Sequence, residues 1–462
     1  MSILKFKKSA DVDMTEGSAF KHLILFALPL LFGNLFQMLY NMVDTFVVGQ
    51  YVSDAAFSAV GTLGPVTNLM IGFFMGFSSG AGVVISKFFG AHKNDRVKAA
   101  VSTAVIMTLV LCIVFTALGL LLIEPVLLIL DMPENVEREA RTYLTIWFSG
   151  ISGLMIYNLG AGIMRAVGDS KRPFIMLIVC AVLNAVLDLC FVLGFGMGVE
   201  GVAYATIISQ GISALLVVIL MFKTESAVKI DPRNMRFDTS ILKTIIIIGL
   251  PTALRMAITS FSNIFVQSYI NAFGEFGMGG WTAYTKIDMI VLLPMQSLSL
   301  ASTTFVGQNL GLGQVKRAEH GANVALLMSF VSTAAIILPI VAFPGFFVSI
   351  FNTNPEIIEY GSLFLRLLTP FYLFWCVNQI YSGALQGAGK TLVPMIIMLS
   401  SFVAFRQIYL FIVSNYIDNS PVPISLSFPI GWIIAAVATF IYYKVKGLAT
   451  KEDKVAPSYK TT

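Results

Sequence analysis

Charged residues are scarce in this chain. Only 12% of its 462 residues are Asp, Glu, Lys or Arg, whereas 57% are hydrophobic. So few charges cannot cover the surface of a water-soluble fold of this size, which excludes a soluble protein and leaves an integral membrane protein. The small positive balance, 30 basic against 25 acidic residues, falls in short loops and does not predict a nucleic-acid partner.

Residues that carry catalytic or metal chemistry are also rare. The chain has 3 histidines and 4 cysteines, and the cysteines all lie in apolar segments. This placement predicts buried thiols rather than disulfides or a metal site. The motifs HExxH and CxxC are absent, so we predict no enzyme and no bound cofactor.

Twelve apolar runs are long enough to cross a bilayer, which takes about 20 helical residues. The first run covers 22–50 and the last covers 426–445. Most lysines and arginines fall at the termini and in the loops after even-numbered runs, as Lys93 and Arg96 do, whereas acids such as Glu200 dominate the opposite loops. The positive-inside rule therefore predicts a multi-pass protein of the cell (inner or plasma) membrane with both termini in the cytoplasm.

The second half of the sequence repeats the first at a nearly constant offset. The segment MRAVGDSKRPFIM resembles LQGAGKTLVPMII, which matches Gly168 with Gly389. Likewise, FALPLLFGN resembles IGLPTALRM, which matches Pro29 with Pro251. Each half holds six runs, so we predict an all-α membrane protein of twelve helices in two lobes related by a parallel repeat, with substrate bound between the lobes. The predicted organisation is an N-lobe (1–222), a cytoplasmic linker (223–240), a C-lobe (241–446) and a polar cytoplasmic tail (447–462).

Two aspartates stand inside apolar runs of the first half, Asp44 in run 1 and Asp188 in run 5. At 1.5 Å per residue, both lie roughly 10 Å from the outer ends of their helices, as does Thr206 in run 6. Ionisable residues at such depth are candidates for function. Other polar side chains reach a similar level or share a helix face with these residues: Asn184, Gln37, Tyr40 and Tyr143.

This set of oxygen ligands favours a hard monovalent cation or a proton. Two nearby carboxylates in a low dielectric do not both stay ionised without a cation, so one takes a proton or the pair binds sodium. We therefore predict a coupled cation site in the N-lobe and no metal beyond sodium. The alternative is that each aspartate only bonds a neighbouring helix.

The second half lacks carboxylates at the repeat positions, where Val266 matches Asp44 and Tyr409 matches Asp188. Two interpretations of its charged residues stay open. Either the arginines pair with the one internal aspartate, or a surplus of cations meets an anionic group of a substrate. The candidate charges are Arg255, Lys286, Asp288, Arg366 and Arg406.

Several segments together resemble the multidrug and toxic compound extrusion (MATE) family, over nearly the whole chain. They include LPLLFGNLFQMLYNMVDTFVVGQ, RAVGDSKRP and FVGQNLGLGQVKRA. The resemblance implies an antiporter, expected as a monomer, that exports organic cations, drugs or other amphipathic compounds by alternating access in exchange for sodium ions or protons. Its partners would be small amphipathic molecules and the lipid bilayer.

The family's N-lobe cation site maps onto residues already singled out by depth, and Pro29 matches a proline where span 1 bends in some members. The mapped positions are Asp44, Asn184, Asp188 and Thr206, with Gln37, Tyr40 and Tyr143 nearby. The chain departs from the branch of the family that has acidic residues in spans 7 and 10, because it has Arg255 and Arg366 there.

Two other functions are compatible with the sequence. A flippase for a lipid-linked anionic precursor shares the two-lobe plan, and the basic residues of the second half would favour it if they face the cleft. A non-transporting membrane receptor or scaffold would need no internal acid cluster and would show no gradient-dependent flux.

Overall fold

The computed structural model describes residues 11–130 and 132–449, apart from the side chains of residues 260, 261 and 264. The predicted tail beyond residue 449 lies outside this part. All regular secondary structure in the described residues is helical, and these residues contain no strand.

Seventeen α-helices make up the described chain. Those of the first half are α1 (Ala19–Tyr51), α2 (Asp54–Gly90), α3 (Asn94–Leu121), α4 (Ile123–Leu130), α5 (Glu134–Ala166), α6 (Lys171–Leu189) and α7 (Val199–Lys223). Those of the second half are α8 (Thr239–Asn271), α9 (Gly274–Gly311), α10 (Val315–Ala342), α11 (Pro344–Ser349), α12 (Pro355–Leu368), α13 (Tyr372–Gly387), α14 (Leu392–Met398), α15 (Arg406–Ile412), α16 (Pro421–Ser425) and α17 (Ser427–Lys446). A 3-10 turn (Thr369–Phe371) follows α12, and π turns follow α6 (Cys190–Gly194), α14 (Leu399–Phe405) and α15 (Val413–Ile417).

Twelve of these segments are long and apolar enough to cross a membrane, which confirms the predicted all-α, multi-pass fold. They are α1, α2, α3, α5, α6 with its π turn, α7, the part of α8 from Thr239 to Thr259, α9, α10, α12 with α13, α14 with α15, and α16 with α17. Large apolar side chains point outward in mid-span, such as Ile113 at 73% exposure and Leu327 at 63%. Exposure of such side chains to water is unfavourable, whereas contact with lipid chains carries no such cost.

The cysteines follow the expected burial with one exception. Cys112, Cys180 and Cys376 are buried free thiols, as their apolar settings predict. Cys190 is free but exposed, so the expectation of burial is wrong for this residue. It opens the π turn that follows α6. An apolar segment of a membrane helix has a face outside the bundle as well as one inside it, and composition does not distinguish the two.

The two halves repeat in hydrogen bonds as well as in sequence. Ser78 Oγ donates to the carbonyl of Asn158 at 2.7 Å, and Ser299 Oγ donates to the carbonyl of Gln379 at 2.8 Å. In both halves the partners are 80 residues apart. Each bond joins the second span of its half to the fourth, so the repeat reproduces the packing of whole helices.

The matched glycines Gly168 and Gly389 share a backbone conformation, with φ of +85° and +83°. This left-handed region disfavours residues that carry a Cβ atom. Each glycine follows the fourth span of its half and turns the chain into the fifth span. The match read from the sequence thus reflects a shared turn.

The chain forms two compact units whose boundaries fall inside helices. Unit 1 contains the described residues up to Asp13 together with Phe32–Leu250, and unit 2 contains Met14–Leu31 and the chain from Pro251 onward. Helices α1 and α8 thus each contribute to both units, and each changes unit at or just after a proline, Pro29 or Pro251. Proline removes one backbone hydrogen bond from a helix and is the commonest point of bending. The lobe limits 1–222 and 241–446 stay a prediction from the sequence repeat.

Candidate functional site

One end of unit 1 brings three helices together around buried valines. Val47 and Val48 of α1 pack in one cluster with Val192 of the π turn and with Val199 and Val202 of α7. Because α6 and α7 are joined by the short turn after residue 194, this cluster fixes α1 beside both of them. Asp44, Asp188 and Thr206 are carried by these helices.

The structure brings the two predicted carboxylates together. The carboxyl groups of Asp44 and Asp188 lie within hydrogen-bonding reach of each other, across α1 and α6. Tyr40 and Tyr143 lie close enough to interact electrostatically with both carboxylates. Four of the seven predicted residues therefore converge from α1, α5 and α6.

Several polar atoms of this cluster are buried and lack hydrogen-bond partners in the described chain. Asp188 and Asn184 are both 0% exposed. In the part of the chain that the structure describes, both oxygens of Asp188, the Oδ1 atom of Asp44 and both amide atoms of Asn184 have no hydrogen-bond partner. A carboxylate is only an acceptor, so two facing carboxylates repel unless a proton or a cation lies between them. The buried oxygens fit a sodium ion or a shared proton.

Three other predicted residues have different surroundings. Thr206 is buried in α7, and its hydroxyl donates to the carbonyl of Val202 at 3.0 Å, which leaves its oxygen free to accept or to ligate. Gln37 is exposed on α1. Pro29 lies inside α1, which continues as one helix from Ala19 to Tyr51. Their roles stay predictions.

Sequence reasoning missed one polar neighbour of the pair. The thiol of Cys180 faces the hydroxyls of Ser213 and Ser209 on α7 and interacts electrostatically with Asp44. Cys180 lies two helical turns before Asp188 and one turn before Asn184, so all three share one face of α6. This spacing was the available signal, but an apolar setting made the cysteine look inert.

Among the described residues of unit 2, the charged side chains form no carboxylate pair like that of unit 1. Asp288 accepts a hydrogen bond from the hydroxyl of Tyr372, which lies 3.0 Å from the hydroxyl of Tyr284. Arg406 is buried, and its Nη1 atom donates to Oδ1 of Asn263 at 3.2 Å. Among the described residues neither Arg366 nor Arg406 forms an ion pair with Asp288. Arg255 is half-buried, while Lys286 and Arg366 are exposed.

One hydrolase-like sequence pattern proves to be structural. Residues 76–80 read GFSSG, which matches the GxSxG motif. That motif needs a sharp turn between a strand and a helix. Here it lies within the uninterrupted helix α2, and Ser78 donates its hydroxyl to the carbonyl of Asn158. The segment serves helix packing.

Twelve spans in two repeated halves, with carboxylates buried between the helices of one unit, define a polytopic membrane transporter. The family model MatE matches residues 29–190 and again residues 251–412. The chain therefore belongs to the MatE family, and the resemblance to multidrug and toxic compound extrusion transporters is confirmed.

Relatives cover nearly the whole chain. YpnP of Bacillus subtilis, named a probable multidrug resistance protein, is 28% identical over 432 residues, which is 94% of this chain and 96% of that protein. A FAD transporter of Shewanella oneidensis is 25% identical over 426 residues, covering 90% of this chain and 93% of its own. The solved structure of a MOP superfamily transporter from Pyrococcus furiosus has a TM-score of 0.89 at 24% identity and covers 95% of this chain and 98% of that one. At that identity the structural likeness concerns the fold.

Proposed function

We propose that this protein is a secondary antiporter of the cell membrane that exports organic cations, drugs or other amphipathic compounds in exchange for sodium ions or protons. Membership of a family of multidrug efflux transporters supports the export of small molecules. The observation that carries the coupling is the contact between the buried carboxyl groups of Asp44 and Asp188.

The coupling follows from electrostatics. With both carboxylates ionised and no cation present, the pair is repulsive and draws a sodium ion or a proton from the outside. Once the pair is neutralised, its attraction for a cationic substrate is lost, so ion binding and substrate release favour each other. Alternating access then arises from motion of the two lobes, for which the proline-containing helices α1 and α8 are natural hinges. The distribution of Lys and Arg supports cytoplasmic termini.

The proposal is tested with the purified chain in proteoliposomes, with ethidium as the cationic probe and with sodium and pH gradients imposed separately. The Asp188→Asn variant keeps the shape of the side chain but carries no charge and binds no proton. We expect gradient-driven ethidium transport to fall about tenfold or more, which corresponds to the loss of one charge-assisted interaction. The exposed Asp95→Asn change in α3 is the matched control. Full gradient-driven transport by Asp188→Asn would overturn the proposal.

A second candidate is a flippase for a lipid-linked anionic precursor. The observation that favours it is the buried Arg406, which has no carboxylate partner in the described chain. The same vesicles test it with a fluorescent lipid pyrophosphate in one leaflet. Flipping of that lipid without ethidium transport would support the flippase, whereas ethidium transport without flipping would exclude it.

A further inference from the structure

A guanidinium group is enclosed inside unit 2. Arg406 is the first residue of α15, directly after the π turn Leu399–Phe405, and it is only 1% exposed. Its guanidinium carbon lies 4.8 Å from the ring centre of Phe428 and 5.0 Å from that of Phe402. Two aromatic faces thus hold one cation.

The hydrogen bonds of this guanidinium are incomplete. A guanidinium has five N–H donors and keeps its charge in proteins. Nη1 donates to Oδ1 of Asn263 at 3.2 Å, whereas Nε is buried without a partner in the described chain. The aromatic rings offset part of the cost of burying this charge, but they do not satisfy its donors. An oxyanion would satisfy both the charge and the donors.

In the sequence repeat, Arg406 takes the position that belongs to the carboxylate cluster of Asp44, Asn184 and Asp188 in unit 1. The two matched segments, 29–190 and 251–412, begin and end at the same offset from each other. At that offset Arg406 corresponds to Asn184 of the first half. Leu410 then corresponds to Asp188, and Val266 corresponds to Asp44.

A local irregularity of the helix explains why this correspondence differs from the match read in the sequence. The separation in sequence between the matched prolines Pro173 and Pro394 is one residue shorter than the separation between Asn184 and Arg406. A π turn accommodates an extra residue, and Leu399–Phe405 lies between Pro394 and Arg406. With this extra residue counted, the residue that corresponds to Asp188 is Leu410 instead of Tyr409. Neither Tyr409 nor Leu410 is acidic.

We propose that Arg406 and Asn263 form a binding site for a carboxylate or similar oxyanion of an aromatic substrate. This inference rests on the proposed transport function and extends its substrate class to amphipathic compounds that carry an acidic group. Asn263 is exposed and accepts from Nη1 of the buried guanidinium, so we place the entry of the ligand on the side of Asn263. Phe428 is half-buried and also packs against Trp281 and Trp432, so the aromatic part of the same ligand would extend this aromatic cluster.

The test compares two dyes that differ only in one carboxylate, rhodamine B and its ethyl ester. Their binding to the full chain in phosphatidylcholine nanodiscs is measured by fluorescence anisotropy. For Arg406→Met we expect the Kd of rhodamine B to rise about tenfold or more, as for loss of a hydrogen bond between charged groups, while that of the ester changes less than about twofold. Lys316→Met removes one exposed charge at the start of α10 and is the control.

A second variant tests the site without removing the arginine. Asn263→Asp sets a carboxylate of the protein against the guanidinium, and the position is exposed, so the fold should tolerate it. It should weaken rhodamine B selectively, because the internal carboxylate competes with that of the dye. Equal weakening of both dyes by Arg406→Met, or unchanged rhodamine B binding in Asn263→Asp, would overturn the proposal. Binding needs no gradient, so a failure of the proposed antiport would show separately, as absent flux.

Discussion

Gly80 of α2 and Gly249 of α8 meet backbone to backbone in unit 1. A Cβ atom on Gly80 would lie 2.8 Å from the Cα atom of Gly249 and 2.6 Å from the carbonyl oxygen of Ile245. Small residues let membrane helices approach this closely, and van der Waals contact replaces the hydrophobic driving force that lipid does not supply. This contact explains why the first part of α8 belongs to unit 1, although the sequence repeat assigns that helix to the second lobe.

Gly80→Ala should therefore destabilise unit 1. The new methyl group meets backbone atoms, which cannot rotate away, so we expect a loss of about 1–3 kcal/mol, as for other overpacked sites. A lower Tm in detergent would show it. Gly211→Ala in α7 is the control, because a Cβ atom there meets no atom within 4 Å. Equal melting of the two variants would contradict the close contact.

Asp44 and Asp188 should act as one site. Asp44→Asn, Asp188→Asn and the double variant should each reduce gradient-driven ethidium transport by a similar factor, because a single neutralised carboxylate already removes the paired charge. Residues that act as a unit show this non-additivity in a double-mutant cycle. Multiplicative losses in the double variant would instead indicate two independent charges.

Tyr372 supports Asp288 in unit 2. Its hydroxyl donates to Oδ1 of that carboxylate, while the hydroxyl of Tyr284 lies 3.0 Å from the hydroxyl of Tyr372 and one step further from the carboxylate. Tyr372→Phe removes the donor of a largely enclosed carboxylate and should cost about 1–3 kcal/mol of stability. Tyr284→Phe is the matched comparison and should cost less. Thermal unfolding of both variants would check the order, and the reverse order would refute this assignment.

Asp238 caps α8 outside the membrane. Hydrogen bonds from the Ser240 hydroxyl and the Ile241 N–H, together with Arg96 at 3.1 Å, hold the pKa of Asp238 below its usual value. A lowered pKa in the folded state contributes stability above the unfolded value of about 3.9, and this contribution is lost as pH falls through the folded pKa. The Tm deficit of Asp238→Ala should thus be present at pH 7 and shrink in acid.

The control for this prediction separates the cap from the charge. Asp238→Asn retains an oxygen that can accept from the N–H groups of α8 but has no charge for Arg96. Its Tm deficit should be smaller than that of Asp238→Ala at pH 7. A deficit of Asp238→Ala that stays constant with pH would show that the carboxylate charge has no part in the cap.

Some of the site was accessible from sequence because depth in a membrane helix follows from residue count. Asp44 and Asp188 could be set at one level by the rise per residue, and the structure brings their carboxyl groups together. The same count could not place Cys180 with them, since it gives depth but not which neighbouring helix a side chain faces. The partners of Asp288 and Arg406 were undecided for the same reason.

The sequence alone determined the class of the fold. Long apolar runs, few charges and an internal repeat at a nearly constant offset dictate twelve spans in two halves, because a backbone in lipid must satisfy its hydrogen bonds within helices. Only the tertiary structure decided how α1 and α8 divide between the units, and that Arg406 has an amide and two aromatic rings around it rather than a carboxylate. These features depend on side-chain contacts between helices distant in sequence, and hydropathy and spacing do not encode such contacts.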